Sequence, residues 1–309
     1  MEKRYLNLNS YFKTLFGHRV HKIAVDAGFT CPNRDGKISF YGCIYCNAQG
    51  SGTGAKAKGI SITEQLITGK KKIAKRFKAK KFLAYFQSYT NTYAPFDILK
   101  KHYDEALSVK DIAGLSIGTR PDCINEQILS LLEEYAKKKL IWIEYGLQSS
   151  KNKTLNLINR GHNFKTFQQA VQLTKNRGIK ICAHVIIGLP QETKKDMIDT
   201  AKAVAVLEID GIKFHSLYVI KGTELERLYK NGKYTPISME EYVDVLCDFI
   251  QLLPPQTVIQ RLTSDPHPKE IIAPLWCLEK LKTVNLIKAR MEAFNMRQGE
   301  NGLTNKIEN

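Results

Sequence analysis

The sequence predicts an α/β fold: an open, partial barrel of six βα units with a C-terminal, mostly helical extension. Six short apolar segments alternate with longer segments of helical periodicity. The apolar segments span 22–28, 81–86, 114–118, 140–146, 179–187 and 211–217. Nearly continuous apolar strands separated by helices are typical of a parallel sheet covered by helices. Six units are too few to close an eight-stranded barrel, so we expect an open one.

The remaining elements follow from helical periodicity and capping signals. Helices are predicted at 62–80, 95–109, 125–138, 164–177, 193–208, 238–253 and 277–295, with an N-terminal helix within 5–21. Ser238 and Glu241 form the capping box of the helix at 238–253. Residues 258–262 are a candidate strand near the sheet edge.

The alternation of strands and helices ends near residue 232, and this change defines two predicted regions. We divide the chain into a core of residues 1–235 and an extension of residues 236–309 packed on it. The core includes an N-terminal arm at 1–21 and a cysteine-containing loop at 29–50.

The charge composition indicates the class of partner. The chain of 309 residues has 47 Lys and Arg against 30 Asp and Glu, a net charge of +17. Such a charge favours a polyanion, nucleic acid ahead of a membrane surface. Part of the excess is clustered at 69–81, where a solvated basic helix face is the alternative interpretation. No apolar run approaches the roughly 20 residues of a membrane span, and the N-terminus lacks an export signal, so we expect a cytoplasmic protein.

Three of the seven cysteines lie within sixteen residues: Cys31, Cys43 and Cys46. They follow the first strand, at the end of the barrel where α/β barrels place their chemistry. Three thiolates suit an iron–sulfur cluster with one open iron, whereas a structural zinc needs four ligands. A zinc site completed by His18 or His21 is the alternative. The odd count disfavours a disulfide framework. We interpret the other cysteines as small buried hydrophobic residues; they are Cys123, Cys182, Cys247 and Cys277.

Polar side chains recur at the predicted strand ends. The most prominent are Gln87, Asn91, Arg120, Asp122, Glu144, Gln148, His184, Lys213 and His215. Each one alone could be a satisfied core residue. Because right-handed crossovers bring the carboxyl ends of all strands to one face, we expect these side chains to form a polar bowl beside the cysteines.

Seven motifs together resemble a known family. They occupy 26–36, 42–47, 86–93, 117–122, 144–149, 184–193 and 217–223, and include Gly-Cys-Ile-Tyr-Cys-Asn and His-Val-Ile-Ile-Gly-Leu-Pro-Gln-Glu-Thr. On these motifs the chain resembles the radical S-adenosylmethionine (SAM) superfamily. Within it, the chain is similar to the bacterial YtqA/YhcC (MnmL-like) branch, which is related to the catalytic subunit of Elongator. Eleven residues separate the first two cysteines, where the commonest superfamily motif has three.

The resemblance implies a cofactor and its ligands. By this match, Cys31, Cys43 and Cys46 bind three irons of a [4Fe–4S] cluster, and the backbone of Tyr45 lies near the SAM adenine. Residues from Gln87 to Asn91 occupy the place of a glycine-rich segment that holds the SAM amino group, although the usual Gly-Gly-Glu is absent. The residues placed to contact other parts of SAM are Glu144, Gln148, Ile187 and Gly188.

The resemblance also implies a reaction. The reduced cluster cleaves SAM to methionine and a 5′-deoxyadenosyl radical, which abstracts hydrogen from an unactivated C–H bond. The branch is associated with the wobble uridine of tRNA, where carboxymethylaminomethyl(-2-thio)uridine would become aminomethyl(-2-thio)uridine. The substrate-side candidates are Arg120, Asp122, His184, Lys213 and His215. The expected partners are tRNA, a flavodoxin or ferredoxin as electron donor, and a methyltransferase acting on the product. The alternatives are a radical SAM enzyme acting on a small molecule such as a tetrapyrrole, and a non-enzymatic zinc RNA-binding protein.

Overall fold

Seven parallel strands form the central sheet in a computed structural model that describes residues 3–47, 50 and 54–302. The strands of the chain are β1 (Val20–Val25), β2 (Lys81–Phe86), β3 (Ile112–Thr119), β4 (Leu140–Gln148), β5 (Lys180–Ile187), β6 (Gly211–Ser216), β7 (Val219–Ile220), β8 (Val258–Arg261) and β9 (Ile271–Ala273). The main sheet has the order β1-β2-β3-β4-β5-β6-β8, with every pairing parallel, and β7 pairs with β9 in a separate antiparallel ribbon. The predicted parallel α/β architecture is confirmed. The candidate strand at 258–262 is its seventh strand, one more than the six predicted units.

The predicted helices are also present, and most agree with their predicted bounds to within about three residues. The helices are α1 (Leu8–Phe16), α2 (Ile62–Phe77), α3 (Phe96–Ser108), α4 (Glu126–Ala136), α5 (Asn152–Leu157), α6 (Phe164–Thr174), α7 (Lys194–Ala205), α8 (Glu224–Lys230), α9 (Met239–Leu252) and α10 (Lys280–Ala293). The capping box predicted at Ser238 is formed. The sequence analysis missed α5, α8, β7 and β9, because each is too short to show a periodic pattern.

The C-terminal region is less purely helical than expected, because β8 belongs to the main sheet. Helices α9 and α10 share the hydrophobic core of the sheet, through residues such as Leu246 and Ile287. The division of the chain at residue 235 stays a prediction. Part of the predicted loop at 29–50 (residues 48 and 49) and the last seven residues lie outside the described residues. Across the described ranges, no helix is both long and apolar enough to cross a membrane.

Inside the curved sheet, the side chains form an apolar layer at the amino ends of the strands. This layer consists of Val20, Leu83, Trp142, Cys182 and Val258, with Phe12 of α1 packed against it. The ring of Tyr11 meets that of Trp142 at 5.7 Å. Helix α1 therefore closes this end of the barrel, and the interior can open only at the carboxyl ends.

The next inward positions on the same strands are polar. Glu144 of β4 contacts Lys22 of β1 and lies 2.5 Å from the Lys213 Nζ of β6. Lys22 Nζ also donates to Gln260 Oε1 of β8 at 2.5 Å. Because successive residues of a strand point to opposite faces, one two-residue step changes the interior from apolar to charged. These contacts join the first, middle and last strands, so they fix the curvature of the partial barrel.

His184 makes the stability of this arrangement depend on pH. Its Nε2 lies 2.7 Å from Glu144 Oε2. Burial, together with the nearby charges of Lys213 and Lys22, lowers the pKa of His184 from 6.5 to about 4. Between these two values the unfolded chain binds more protons than the folded chain. The free energy of unfolding therefore falls as the pH falls through this window, by up to about 1.4 kcal/mol per pH unit through His184.

We predict that the substitution His184→Gln weakens this dependence. Glutamine keeps a donor for Glu144 but cannot titrate, so the thermal midpoint of the variant should fall less steeply than that of the wild type between pH 6.5 and about 4. Anaerobic scanning calorimetry of both proteins across this range measures the difference. Parallel curves would show that His184 does not contribute to the acid sensitivity.

Candidate active site

A cavity of about 630 Å³ opens at the carboxyl ends of the strands. One wall carries Cys31, Cys43 and Cys46, and the interior side contains Glu144 and His184. The polar bowl predicted beside the cysteines is therefore present. Its volume lies within the range of about 300–1,000 Å³ that is usual for ligand pockets.

The cysteine loop is held by hydrogen bonds to its own backbone and to the segment after α5. Cys46 N donates to Cys43 O at 3.0 Å, which forms the turn between these two cysteines. Arg34 Nη2 donates to Cys46 O at 2.6 Å. Asn33 Nδ2 donates to Asn159 O at 2.6 Å. These hydrogen bonds position Cys43 and Cys46 relative to the segment after α5.

Arg160 connects the cysteines to the sheet. Its Nη1 lies 3.6 Å from Cys43 Sγ, and its Nη2 donates to Gly146 O at 2.8 Å. A Cβ at Gly146 would lie 2.5 Å from Arg160 Nη2, so only glycine allows this approach. Burial opposes the charge of Arg160, but Cys43 and Tyr45 outweigh it and raise the pKa of the guanidinium. Arg160 thus places a positive charge beside the sulfur of Cys43.

The cysteine wall fits an iron–sulfur cluster, because Cys31, Cys43 and Cys46 line one cavity and a four-iron cluster bonds each thiolate to a different iron. Within residues 3–47, 50 and 54–302, no three His, Cys, Asp or Glu side chains are grouped for a single ion. Asn33 Nδ2 lies 3.7 Å from Cys43 Sγ, the same sulfur that Arg160 contacts. Hydrogen bonds of this kind stabilise a metal-bound thiolate.

The alternative zinc site completed by His18 or His21 is wrong. His21 is in β1 near its amino end and stacks on Phe77 at 4.5 Å. His18 precedes the strand and stacks on Phe16. The cysteines follow the carboxyl end of β1, whereas His21 is the second residue of the strand and His18 precedes it. At least four strand residues, about 13 Å, therefore separate both histidines from that end.

Glu144 is the electrostatic centre of the interior side. Its side chain is fully buried and also accepts from Ser116 Oγ. Burial alone would raise the pKa of this carboxyl, but Lys213, Lys22 and His184 outweigh burial and hold it well below 4.5. Burial lowers the pKa of Lys22 to about 8, a shift that Glu144 partly offsets. Glu144 is therefore ionised at neutral pH and ion-paired with two lysines.

The structure separates the predicted SAM-side residues into two groups. Tyr45, Gln87 and Gln148 line the cavity together with Glu144. Asn91 is buried, and its Nδ2 donates to Phe86 O and Gly118 O, so it joins strands β2 and β3. The described lining of the cavity includes neither Ile187 nor Gly188, although Ile186 is part of it. Gly188 instead lines a separate pocket and its carbonyl accepts from Tyr234.

The substrate-side candidates are likewise divided. His184 and His215 line the cavity, with ring centroids 5.2 Å apart, and Lys213 lies behind Glu144. Arg120 also lines the cavity, although it is 2% exposed, and donates twice to Asp122, which is outside the described lining, at 2.9 and 2.8 Å. Its third donor, Nη1, binds Arg160 O at 2.8 Å. The Arg120–Asp122 pair therefore positions Arg160, and contact of this pair with substrate stays a prediction.

The sequence analysis missed several residues of the site. These are Lys22, Tyr85, Arg160, Gln260 and Arg261. Lys22, a lysine within the apolar segment 22–28, was a signal of the same kind as Lys213, and alternation along β1 would have placed it in the interior. Arg160 lies in the loop after α5, and sequence periodicity does not predict the direction of a side chain in a loop.

The basic run at 69–81 lies away from this cavity. Helix α2 carries it towards the amino end of β2, which begins at Lys81. Lys71, Lys72, Lys75 and Arg76 are exposed there. The cysteine wall and the basic run thus lie at opposite ends of the strands of the sheet.

Sequence comparisons agree with this geometry. The family model described as "Radical SAM superfamily" matches residues 31–204, and the model described as "Radical_SAM C-terminal domain" matches residues 209–293. The uncharacterised protein YtqA of Bacillus subtilis is 38% identical over 299 residues, covering 97% of this chain and 93% of that protein. YhcC of Escherichia coli K12 is 39% identical over 263 residues, covering 85% of this chain and 84% of that protein.

More distant relatives match part of the chain or the fold alone. Elongator complex protein 3 of Dictyostelium discoideum is 33% identical over 170 residues, covering 54% of this chain and 30% of that protein. A solved structure of archaeal Elp3 from Methanocaldococcus infernus superposes with a TM-score of 0.69 at 20% identity, over 90% of this chain and 64% of that one. The chain therefore belongs to the radical SAM superfamily, in the branch of YtqA and YhcC that is related to the Elongator catalytic subunit.

Proposed function

We propose that this radical SAM enzyme modifies the wobble uridine of tRNA, converting carboxymethylaminomethyl(-2-thio)uridine to aminomethyl(-2-thio)uridine. The observation that carries the proposal is the single cavity with cysteines on one wall and a charged, histidine-containing interior opposite. Such a cavity can hold a cofactor at the cysteines and present a polar nucleoside side chain to it. The family cofactors are a [4Fe–4S] cluster and SAM.

We infer that Cys31, Cys43 and Cys46 bind the cluster and that Tyr45, Gln87 and Gln148 contact SAM. Burial, with Cys43 nearby, raises the pKa of Cys46 to about 11, so iron binding at this position releases a proton. When bound, the reduced cluster and SAM supply a radical that abstracts hydrogen from the methylene carbon of the carboxymethyl group. Loss of one further electron, which the oxidised cluster would accept, and of the amine proton would leave an imine at that carbon. Hydrolysis of the imine by water would release glyoxylate and aminomethyluridine.

The chain's own residues orient the reactants and limit the entry of water. Lys213 Nζ lies 4.2 Å from the centroid of the Tyr85 ring and donates a hydrogen bond to the Tyr85 hydroxyl oxygen at 3.0 Å. Helix α1 and the apolar layer close the opposite end of the barrel. A rigid interior of this kind holds the substrate carbon at a fixed distance from the reacting radical, and it excludes the solvent that would quench it.

Two further facts support tRNA as the substrate. The name of one relative from Methanocaldococcus infernus, tRNA uridine(34) acetyltransferase, states an action on that uridine; it is 30% identical over 174 residues, covering 53% of this chain and 32% of that protein. The net charge of +17 favours a polyanion. The basic run at 69–81 is too far from the cavity to touch the modified base, so it would contact another part of the same long RNA.

The reaction implies two further partners. Reduction of the cluster requires one electron from an external donor, and we propose a flavodoxin or ferredoxin, whose acidic surfaces suit this basic chain. The product carries a primary amine, a suitable substrate for a methyltransferase.

We predict that replacing any one of Cys31, Cys43 and Cys46 by alanine abolishes cluster binding. The wild type should bind about four irons per chain after anaerobic reconstitution, and each variant should lose most of its iron and its absorbance near 400 nm. SAM cleavage, assayed as 5′-deoxyadenosine, should fall to background. Cys123→Ala is the matched control, because Cys123 is also partly exposed but lies outside the described lining of the cavity. Retention of four irons by a cavity variant would contradict the assignment.

We also predict conversion of tRNA in vitro. Reduced enzyme, SAM and tRNA bearing carboxymethylaminomethyluridine should give aminomethyluridine and glyoxylate in equal amounts, measured by mass spectrometry of nucleosides and of the derivatised aldehyde. A cell lacking the protein should accumulate the carboxymethylated nucleoside. Unchanged wobble nucleosides in both experiments would refute the proposed substrate, and a SAM-cleaving enzyme that ignores tRNA would point to a small molecule.

A further inference from the structure

The charged groups on the interior side of the cavity do not balance. Three cationic side chains, Lys22, Lys213 and Arg261, lie around the carboxylate of Glu144. Two other carboxylates line the cavity, but Asp265 pairs with Lys280 and Glu270 accepts from Asn47. Glu144 contacts both lysines and does not pair with Arg261. Among the described residues, no carboxylate lies within 4.0 Å of the Arg261 guanidinium. The cavity therefore contains an arginine without an acidic partner.

Arg261 is placed to meet a ligand. It is the last residue of β8 and lines the same cavity as the three cysteines. It pairs in register with Lys213 of β6. Burial is the largest cause of the lowered pKa of Lys213, and the charge of Arg261 lowers it further. Burial and the charge of Arg261 also lower the pKa of His215. This repulsion among cations is relieved when an anion binds between them.

His215 supplies a second and independent observation. Its Nε2 is buried and has no hydrogen-bond partner among the described residues. The same ring lines the cavity. A buried polar atom without a partner carries a cost of about 1–3 kcal/mol. A ligand oxygen that accepts a hydrogen bond at this position would remove that cost.

We propose that Arg261, with His215 beside it, binds the carboxylate of the substrate side chain. The proposal rests on the proposed function, in which the substrate carries a carboxymethyl group. Arginine presents two parallel N–H donors that match the two oxygens of a carboxylate. By the family resemblance, the carboxylate of SAM would be held at the cysteine wall, beside the cluster. The carboxylate left for Arg261 is therefore that of the substrate.

This assignment makes Arg261 a specificity-determining residue. It would anchor the end of the side chain next to the methylene carbon that loses hydrogen. A side chain that ends in methyl instead of carboxymethyl would leave Arg261 and His215 unsatisfied. Because a site built for a polar group rejects ligands that lack it, the product would also be released more readily than the substrate.

The test compares two tRNA preparations on the full-length, reconstituted enzyme. One carries carboxymethylaminomethyluridine and the other methylaminomethyluridine, which has no carboxylate. Wild-type enzyme should bind the first about tenfold or more tightly in a competition assay. Arg261→Gln should bind both equally and raise KM for the first by a similar factor. Arg261→Lys, which keeps the charge, should recover part of the preference.

Two controls separate this effect from others. Lys269→Gln removes one exposed positive charge from the loop after β8, so it should weaken binding of both tRNAs equally and leave the preference unchanged. The affinity for SAM, measured by calorimetry, should be the same in Arg261→Gln as in the wild type. A loss of SAM affinity with an unchanged tRNA preference would assign Arg261 to the cofactor and overturn the proposal.

The outcomes also distinguish this inference from the proposed function. If the wild type converts the carboxymethylated nucleoside but Arg261→Gln converts it with the same KM, the function stands and the role of Arg261 is refuted. If the wild type prefers the carboxylated tRNA but does not convert it, the carboxylate site stands and the reaction is refuted. If the wild type shows no preference between the two preparations, the carboxylate site is refuted.

Discussion

The structure depends on one buried carboxylate, that of Glu144. It lies in the middle strand of the sheet and holds Lys22 of the first strand, Lys213 of the sixth and His184 of the fifth. Each of these side chains would be costly to bury without it, because an isolated charge loses its hydration in the interior. Removing one member of a buried ion pair typically costs about 3–5 kcal/mol, so the sheet depends on this group for its curvature. The same group also sets the charge of the cavity.

The buried charge of Glu144 explains why the barrel interior has one apolar layer and one charged layer. The layer at the amino ends contains Trp142 and Leu83, which need only apolar neighbours and are covered by α1. Two residues further along the strands, the interior holds the Glu144 ion pairs. A partial barrel has no eighth strand to seal it, so its open end must be lined by groups that tolerate water or a ligand. The polar layer meets that need and places charge where a cofactor and substrate enter.

Much of this arrangement could be predicted from the sequence. The parallel sheet, the cysteine wall and the inward positions of Glu144, His184 and Lys213 follow from strand periodicity and from the rule that strand ends share a face. Residues that act across loops could not be predicted in this way. Arg160 reaches Cys43 only because α5, a helix of six residues, turns the chain back towards the cysteines. Arg120 lines the cavity, as predicted, but strand periodicity does not reveal that its direction is set by Asp122 and by the backbone of Arg160.

The position of the basic residues shows why net charge and site chemistry must be considered separately. The run at 69–81 lies at the amino ends of the strands, whereas Arg261 lies in the cavity at their carboxyl ends. The two ends of the strands are about 20 Å apart, and charges are screened over about 10 Å at 0.1 M salt. In the proposed function, the basic run therefore acts on the encounter with a long RNA and cannot tell one wobble side chain from another. Arg261 is partly buried and has no acidic partner among the described residues, and in our proposal it makes that distinction. Attraction to RNA in general and recognition of one modified base would then be separate tasks of one chain, because they need charge in different surroundings.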